Sequence, residues 1–160
     1  MTDFGALLAA LGEKQVEYIV VGGAAAIAHG SARLTQDLDI VYRRTADNMD
    51  RLIAALATHK PYLRGAPAGL PFLWDRETLR RGLNFTLITS LGDIDLLGEI
   101  PGGGAWEDLR PGAIDLNVFG TSCLCLSLSQ LIRAKVAAGR PKDLEALAEL
   151  EAISEERGET

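Results

Sequence analysis

Asp37 and Asp39 stand two residues apart in the string Thr35-Gln36-Asp37-Leu38-Asp39-Ile40-Val41. The apolar, β-rich residues around them predict a strand over 38–42. On a strand, alternate side chains share a face, so both carboxylates point one way while Leu38 and Ile40 point the other. Two carboxylates side by side resist ionising together, and a bound divalent cation removes that penalty. Mg²⁺ suits such a pair, with Mn²⁺ as an alternative, because it takes hard oxygen ligands and is often shared between a few carboxylates and substrate phosphates. A third carboxylate must come from another strand. Asp95 offers it, set in the apolar run Ile94-Asp95-Leu96-Leu97. Asp93 has the same side-chain parity but directly follows Gly92, which predicts a turn residue.

Two further features fit phosphate chemistry. Gly22-Gly23 lies between a predicted strand over 18–21 and a short helix of small residues over 24–28. Glycines there let the backbone come close to a ligand, and the free amides of a helix start favour an anion. Near the other end, Leu128, Leu131, Ile132 and Lys135 fall on one helical stripe. An inward lysine on an apolar stripe needs an anion, and a triphosphate would serve; otherwise its head snorkels to solvent. No Walker-type loop and no G-x-G-x-x-G after a strand is present, and no Ser/His/Asp set is indicated by spacing.

The order Gly22-Gly23, short helix, Asp37-x-Asp39, then a lone Asp on a later strand resembles the DNA polymerase β-type nucleotidyltransferase superfamily. The fuller string, with His29-Gly30, Arg33 and Thr35, is similar to its small bacterial branch of minimal transferases and abortive-infection-type toxins. So is Lys135 followed by Arg140-Pro141-Lys142-Asp143-Leu144. The likeness runs over about residues 16–150, with residues 60–82 unmatched. It implies a metal site of Asp37, Asp39 and Asp95, and nucleotide contacts from Gly22, Gly23, His29, Arg33, Thr35, Lys135 and Arg140. Three of these have a structural alternative: His29 as a packed or capping residue, Arg33 as a surface residue, Arg140 as the ion-pair partner of Asp143. Many relatives carry Ser after the first glycine; Gly23 and Ala24 stand here, leaving backbone amides to meet the phosphates.

The implied activity is magnesium-dependent transfer of a nucleoside monophosphate from ATP or another NTP to a hydroxyl on tRNA, protein or a small molecule. The rival reading is a catalytically weak nucleotide- or partner-binding module of a toxin–antitoxin pair, with a cognate antitoxin or helical partner.

The elements that must position these residues follow from periodicity. Phe4, Leu7, Leu8 and Leu11 predict an opening helix that Gly12 ends. Thr45 is a suitable N-cap for a helix bearing Met49, Leu52, Ile53 and Leu56. Residues 60–82, with Pro61, Pro67 and Pro71, read as the longest irregular region and a place for substrate-specific contacts. Two strands over 84–89 and 94–97 come next, then a Gly102–Gly104 loop with the placement of a lid, and a strand-like run over 114–126 broken at Gly120. Two helices close the chain over 127–154, the first capped by Ser127 or Ser129 and ended by Gly139, the second opening on Pro141. The expected class is a small α/β (α+β) domain spanning residues 1–160, a mixed sheet flanked by helices.

Composition sets outer limits. The 160 residues are 48% hydrophobic and 24% charged, with a net charge of −6. That acidity disfavours non-specific duplex binding, which depends on neutralising phosphates with a basic surface. Cys123 and Cys125 lack further soft ligands nearby and read as small reduced thiols, in the core or at the surface. His59 reads as a helix C-terminal charge and Arg80-Arg81 as a solvated pair. No signal-peptide pattern and no membrane-length apolar run occurs, so a cytoplasmic location is expected.

Overall fold

The computed structural model describes residues 1–158. Helix α1 (Phe4–Glu13) is capped by Asp3, whose carboxylate accepts the Ala6 amide, and it buries Leu7, Leu8 and Leu11 completely. Gly12 does not end it: the helix runs one residue further, to a cap at Lys14. Strand β1 (Tyr18–Val21) is buried along its whole length, as four consecutive apolar residues in mid-sheet should be. The backbone turns at once into helix α2 (Gly22–Ala28) and returns as β2 (Asp37–Tyr42), antiparallel to β1. Helix α3 (Ala46–Leu56) has the expected Thr45 cap and buries Met49, Leu52 and Leu56 against the core.

Residues 60–82 are less irregular than their prolines suggest. They contain a two-residue strand β3 (Tyr62–Leu63) and a helix α4 (Arg76–Arg81) capped by Asp75. The Asp75 carboxylate accepts the Thr78 amide at 2.9 Å, a local N-cap that starts the helix just after the last of the prolines. Strands β4 (Phe85–Thr89) and β5 (Gly92–Leu97) form a tight hairpin. Asp93 therefore lies inside β5, paired with Ile88 and Asp37, and is not the turn residue its place after Gly92 suggested.

A small hairpin, β6 (Glu99–Ile100) and β7 (Gly104–Ala105), leads into a one-turn helix α5 (Trp106–Leu109). A Cβ at Gly102, where φ is +73°, would meet the Arg133 carbonyl at 2.8 Å. The glycine loop is thus seated on the helix that carries Arg133. Strands β8 (Ile114–Val118) and β9 (Thr121–Cys125) pair across a turn in which both Phe119 and Gly120 have positive φ. Helix α6 (Leu128–Ala138) starts on a Ser127–Gln130 capping box and ends on left-handed Gly139; α7 (Pro141–Arg157) starts on Pro141 and extends beyond 154.

Seven strands form one mixed sheet in the order β3-β4-β5-β2-β1-β9-β8. Two pairings are parallel, β1 with β9 and β2 with β5; the rest are antiparallel. The expected mixed sheet with flanking helices is the fold found. Leu38 and Ile40 on β2 and Ile94 and Leu96 on β5 are fully buried, each worth about 1.5–3 kcal/mol relative to exposure. This burial fixes which face their neighbours Asp37, Asp39, Asp93 and Asp95 must occupy. Among the described residues, no helix is long and apolar enough to cross a membrane.

Candidate active site

The site is built on the two middle strands. The parallel register of β2 and β5 sets Asp37 beside Asp93 and Asp39 beside Asp95. Neighbouring strands lie about 4.7–4.9 Å apart, so the four carboxylates make a two-by-two grid on one face. Asp37, Asp39 and Asp95 each present an oxygen within 4.8 Å of the others, the arrangement a metal ion could use. Asp39 is the most enclosed of them. Its Oδ1 is buried with no hydrogen-bond partner. Burial first, then the charges of Asp37 and Asp95, push its carboxyl up to about 8. Asp95 is also raised, mainly by desolvation, against the lowering effect of an arginine, Arg64. Bringing these groups together ionised is costly without a cation, and an orphaned buried carboxylate oxygen is what a metal would satisfy. The donor set, all hard oxygens, fits Mg²⁺ or Mn²⁺.

The glycines belong to the same construction. Gly22 has φ +64°, and a Cβ there would strike Asp39 Oδ2. A Cβ on Gly23 would meet Thr35 Oγ1 at 2.7 Å, and that hydroxyl donates to the Asp37 carbonyl at 3.2 Å. The turn from β1 into α2 can press against β2 only because both positions lack side chains.

Facing Asp39 is a cleft of about 170 Å³ whose lining includes Gly22, Leu97, Lys135, Arg140 and Asp143. Asp143, completely covered, joins the two cations. Arg140 Nε donates to its Oδ2 at 2.6 Å and Lys135 Nζ to its Oδ1 at 3.2 Å. The Arg140 guanidinium first, with help from Lys135 and the Arg140 amide, holds this carboxyl well below the usual range. So the alternative of an Arg140–Asp143 pair is realised, and Lys135 joins it, yet both cations still border the cleft that Asp39 faces.

His29 and Arg33 do not line this cleft. The His29 ring is 2% exposed; Nε2–H donates to the Leu126 carbonyl at 2.8 Å while Nδ1 accepts from Arg157 Nη1 at 2.9 Å. Both ring nitrogens are engaged within the protein, as the packing alternative expects. Arg33 pairs with Glu149 at 3.7 Å and Glu145 at 4.0 Å on α7, away from the acidic grid. A larger cavity, about 710 Å³, is lined by His29, Ile132, Arg133, Glu151 and Arg157 among others and contains none of the four aspartates. The smaller cleft is the one that Asp39 borders.

Two residues of the grid escaped the sequence. Asp93 was read as a turn, although its parity with Asp95 was visible. Arg64 had no signal beyond lying in the unmatched stretch 60–82. It follows β3 and reaches into the grid, with Nη2 2.5 Å from Asp95 Oδ1, Nε 3.4 Å from Asp93 Oδ2 and Nη1 3.6 Å from Asp37 Oδ2.

No protein-family model and no curated protein sequence matches the chain. Solved structures do. The lincosamide antibiotic adenylyltransferase LnuA, bound to lincomycin, superposes with a TM-score of 0.61 at 16% identity, over 95% of this chain and 98% of that one. The antibiotic-resistance factor ANT(2'')-Ia matches in solution with a TM-score of 0.56 at 15% identity, over 93% and 85% of the two chains. Its complex with adenylyl-2''-tobramycin matches at 0.56 and 15%, over 93% and 91%. At these identities the likeness is one of fold, and the fold is shared with proteins that are nucleotidyltransferases.

Proposed function

We propose that this protein is a metal-dependent nucleotidyltransferase that moves a nucleoside monophosphate from an NTP to a hydroxyl of a small molecule. The observation that carries the reading is the convergence of Asp37, Asp39 and Asp95, with a buried oxygen of Asp39 left unpartnered, on this particular fold. Asp37, Asp39 and Asp95 hold the divalent ion, which when bound supplies positive charge to the triphosphate oxygens. The backbone at Gly22 and Gly23 admits the phosphates against β2. Lys135 and Arg140, across the cleft, add cationic donors beyond those they spend on Asp143. Asp95 accepts the proton of the acceptor hydroxyl as its oxygen attacks the α-phosphorus, and the bond to pyrophosphate breaks in line. Positioning and charge carry most of such a reaction.

A small acceptor is favoured over tRNA or protein by two facts. Two of the fold neighbours hold small molecules, lincomycin in one and adenylyl-2''-tobramycin in the other. Its net charge of −6 opposes docking of nucleic acid and suits a neutral or cationic acceptor. The test is incubation with each α-labelled NTP and Mg²⁺, separately with lincosamides, aminoglycosides, tRNA and lysate protein. Label on a small molecule is the expected result. Label on tRNA or protein would move the reading to a toxin-type enzyme, and no transfer with intact NTP binding would favour the binding module.

A further inference from the structure

Arg64 stands where a cation belongs. Its guanidinium faces Asp37, Asp93 and Asp95 on the grid and donates to the Leu87 carbonyl at 2.9 Å. The fit is uneven. Only Asp95 and the Leu87 carbonyl are met at hydrogen-bonding distance, and the buried Nε closes no hydrogen bond. A structural arginine in this same molecule does better: Arg140 makes three hydrogen bonds to Asp143, counting its amide. Arg64 forms no ion pair with Asp39 and reaches it only through its field. One positive charge is thus spread over three carboxylates, while the fourth keeps an oxygen unpartnered.

The backbone around Arg64 is lightly held. It lies just past the two-residue edge strand β3, its amide bonded to the Thr86 carbonyl at 2.9 Å, and Gly65 follows with φ +80° and open space around it. The segment 65–74 carries exposed Leu70 and Leu73. It is anchored at its far end, where Phe72 and Trp74 pack against the core, Phe72 meets the Tyr62 ring edge-on and the Trp74 indole donates to the Ile53 carbonyl at 3.0 Å; nearer Arg64 the Tyr62 hydroxyl donates to the Pro67 and Leu70 carbonyls.

We propose that Arg64 is a resident counter-ion of the acidic grid that competes with a divalent ion for Asp37 and Asp95, so that loading this side of the site withdraws Arg64 and shifts the segment 65–74. The inference rests on the metal reading above. The Asp95 oxygen that Arg64 engages cannot serve a metal at the same time, and a dication answers a group of carboxylates better than one guanidinium. Coupling the segment to metal loading gives the site two states, which metal and substrate bias together.

Mn²⁺ binding to the nucleotide-free protein, read by electron paramagnetic resonance, tests the competition. Arg64→Gln should bind Mn²⁺ about tenfold more tightly than the parent, the equivalent of releasing one charge-assisted hydrogen bond. Arg64→Lys keeps the charge but not the fork, guards against a Gln variant that fails to fold, and should bind more tightly than the parent by a smaller factor. Equal or weaker binding by both variants overturns the competition. Movement is tested by Mg²⁺ titration of tryptophan fluorescence. A change that follows metal binding in the parent and is lost in both Trp74→Phe and Arg64→Gln is expected. Metal binding without that change in the parent means that Arg64 acts through its field alone, and overturns the withdrawal. Absence of metal binding in every form overturns the metal reading itself and this inference with it.

Discussion

The acidic grid of β2 and β5 and the helix junction of α6 and α7 are both clusters of charge, and they are built on opposite terms. At the junction the charges match. Asp143 is fully covered, but Lys135 and Arg140 close hydrogen bonds onto it, and its carboxyl is held as the anion. At the grid they do not match. Three of the four carboxylates pair with one arginine, Asp39 keeps a bare oxygen, and its carboxyl is pushed towards the neutral form. A satisfied cluster stabilises the free protein. An unsatisfied one is costly until something binds, which is why such sites point to function.

The sharpest way to break this comparison is Asp39→Asn. If the grid exists for a cation, single-turnover transfer with labelled NTP should fall by about 10³-fold, on the scale of losing a major electrostatic group. The melting temperature at pH 7 should not fall, because the Asp39 carboxyl already favours its neutral form in the free protein. Full activity in a folded variant would end the proposal. Within the grid, Asp95→Asn should cost about 10²-fold or more in the same assay, and Asp93→Asn less, because Asp93 meets Arg64 but is not among the three carboxylates grouped for a metal. A reversed order would move the third ligand to Asp93.

At the junction the prediction is the converse. Asp143→Asn should destabilise by about 2–3 kcal/mol, seen in urea unfolding, because it leaves Lys135 and Arg140 without their anion. Lys135→Met should have a smaller effect on stability, about 1 kcal/mol or less, since Arg140 still holds Asp143. It should also weaken NTP binding by about 1.5–3 kcal/mol in calorimetry, if Lys135 meets phosphate across the cleft. Unchanged NTP affinity with a lower melting temperature would make Lys135 wholly structural.

The smallest effect is one of pH. Asp143 has a folded pKa depressed below its unfolded value of about 3.9. Its contribution is therefore fully present above about pH 4 and is lost as pH falls towards the folded value. Asp143→Asn should flatten the acid limb of stability between about pH 4 and pH 2. An acid limb of unchanged slope would show that the junction's charges do not act on folding.

How far the sequence reached depends on how local each cause is. The Thr45 and Ser127 caps, Gly139 in the left-handed turn and Pro141 opening α7 were legible because each acts within a few residues. The shared face of Asp37 and Asp39 was legible too, since a strand's period of two needs no partner to express it. The tertiary structure decided the rest. Only the parallel register of β2 on β5 puts Asp95 beside Asp39 and brings Asp93 into the grid. Only the packing of β3 at the sheet's edge lets Arg64, 27 residues after Asp37 in the chain, reach three of those carboxylates. His29 took its place among helices for the same reason, because its partners Leu126 and Arg157 lie about a hundred residues on. Strand register and side-chain reach are set by how all the strands together bury the sheet's apolar residues, and no local stretch of sequence contains that information.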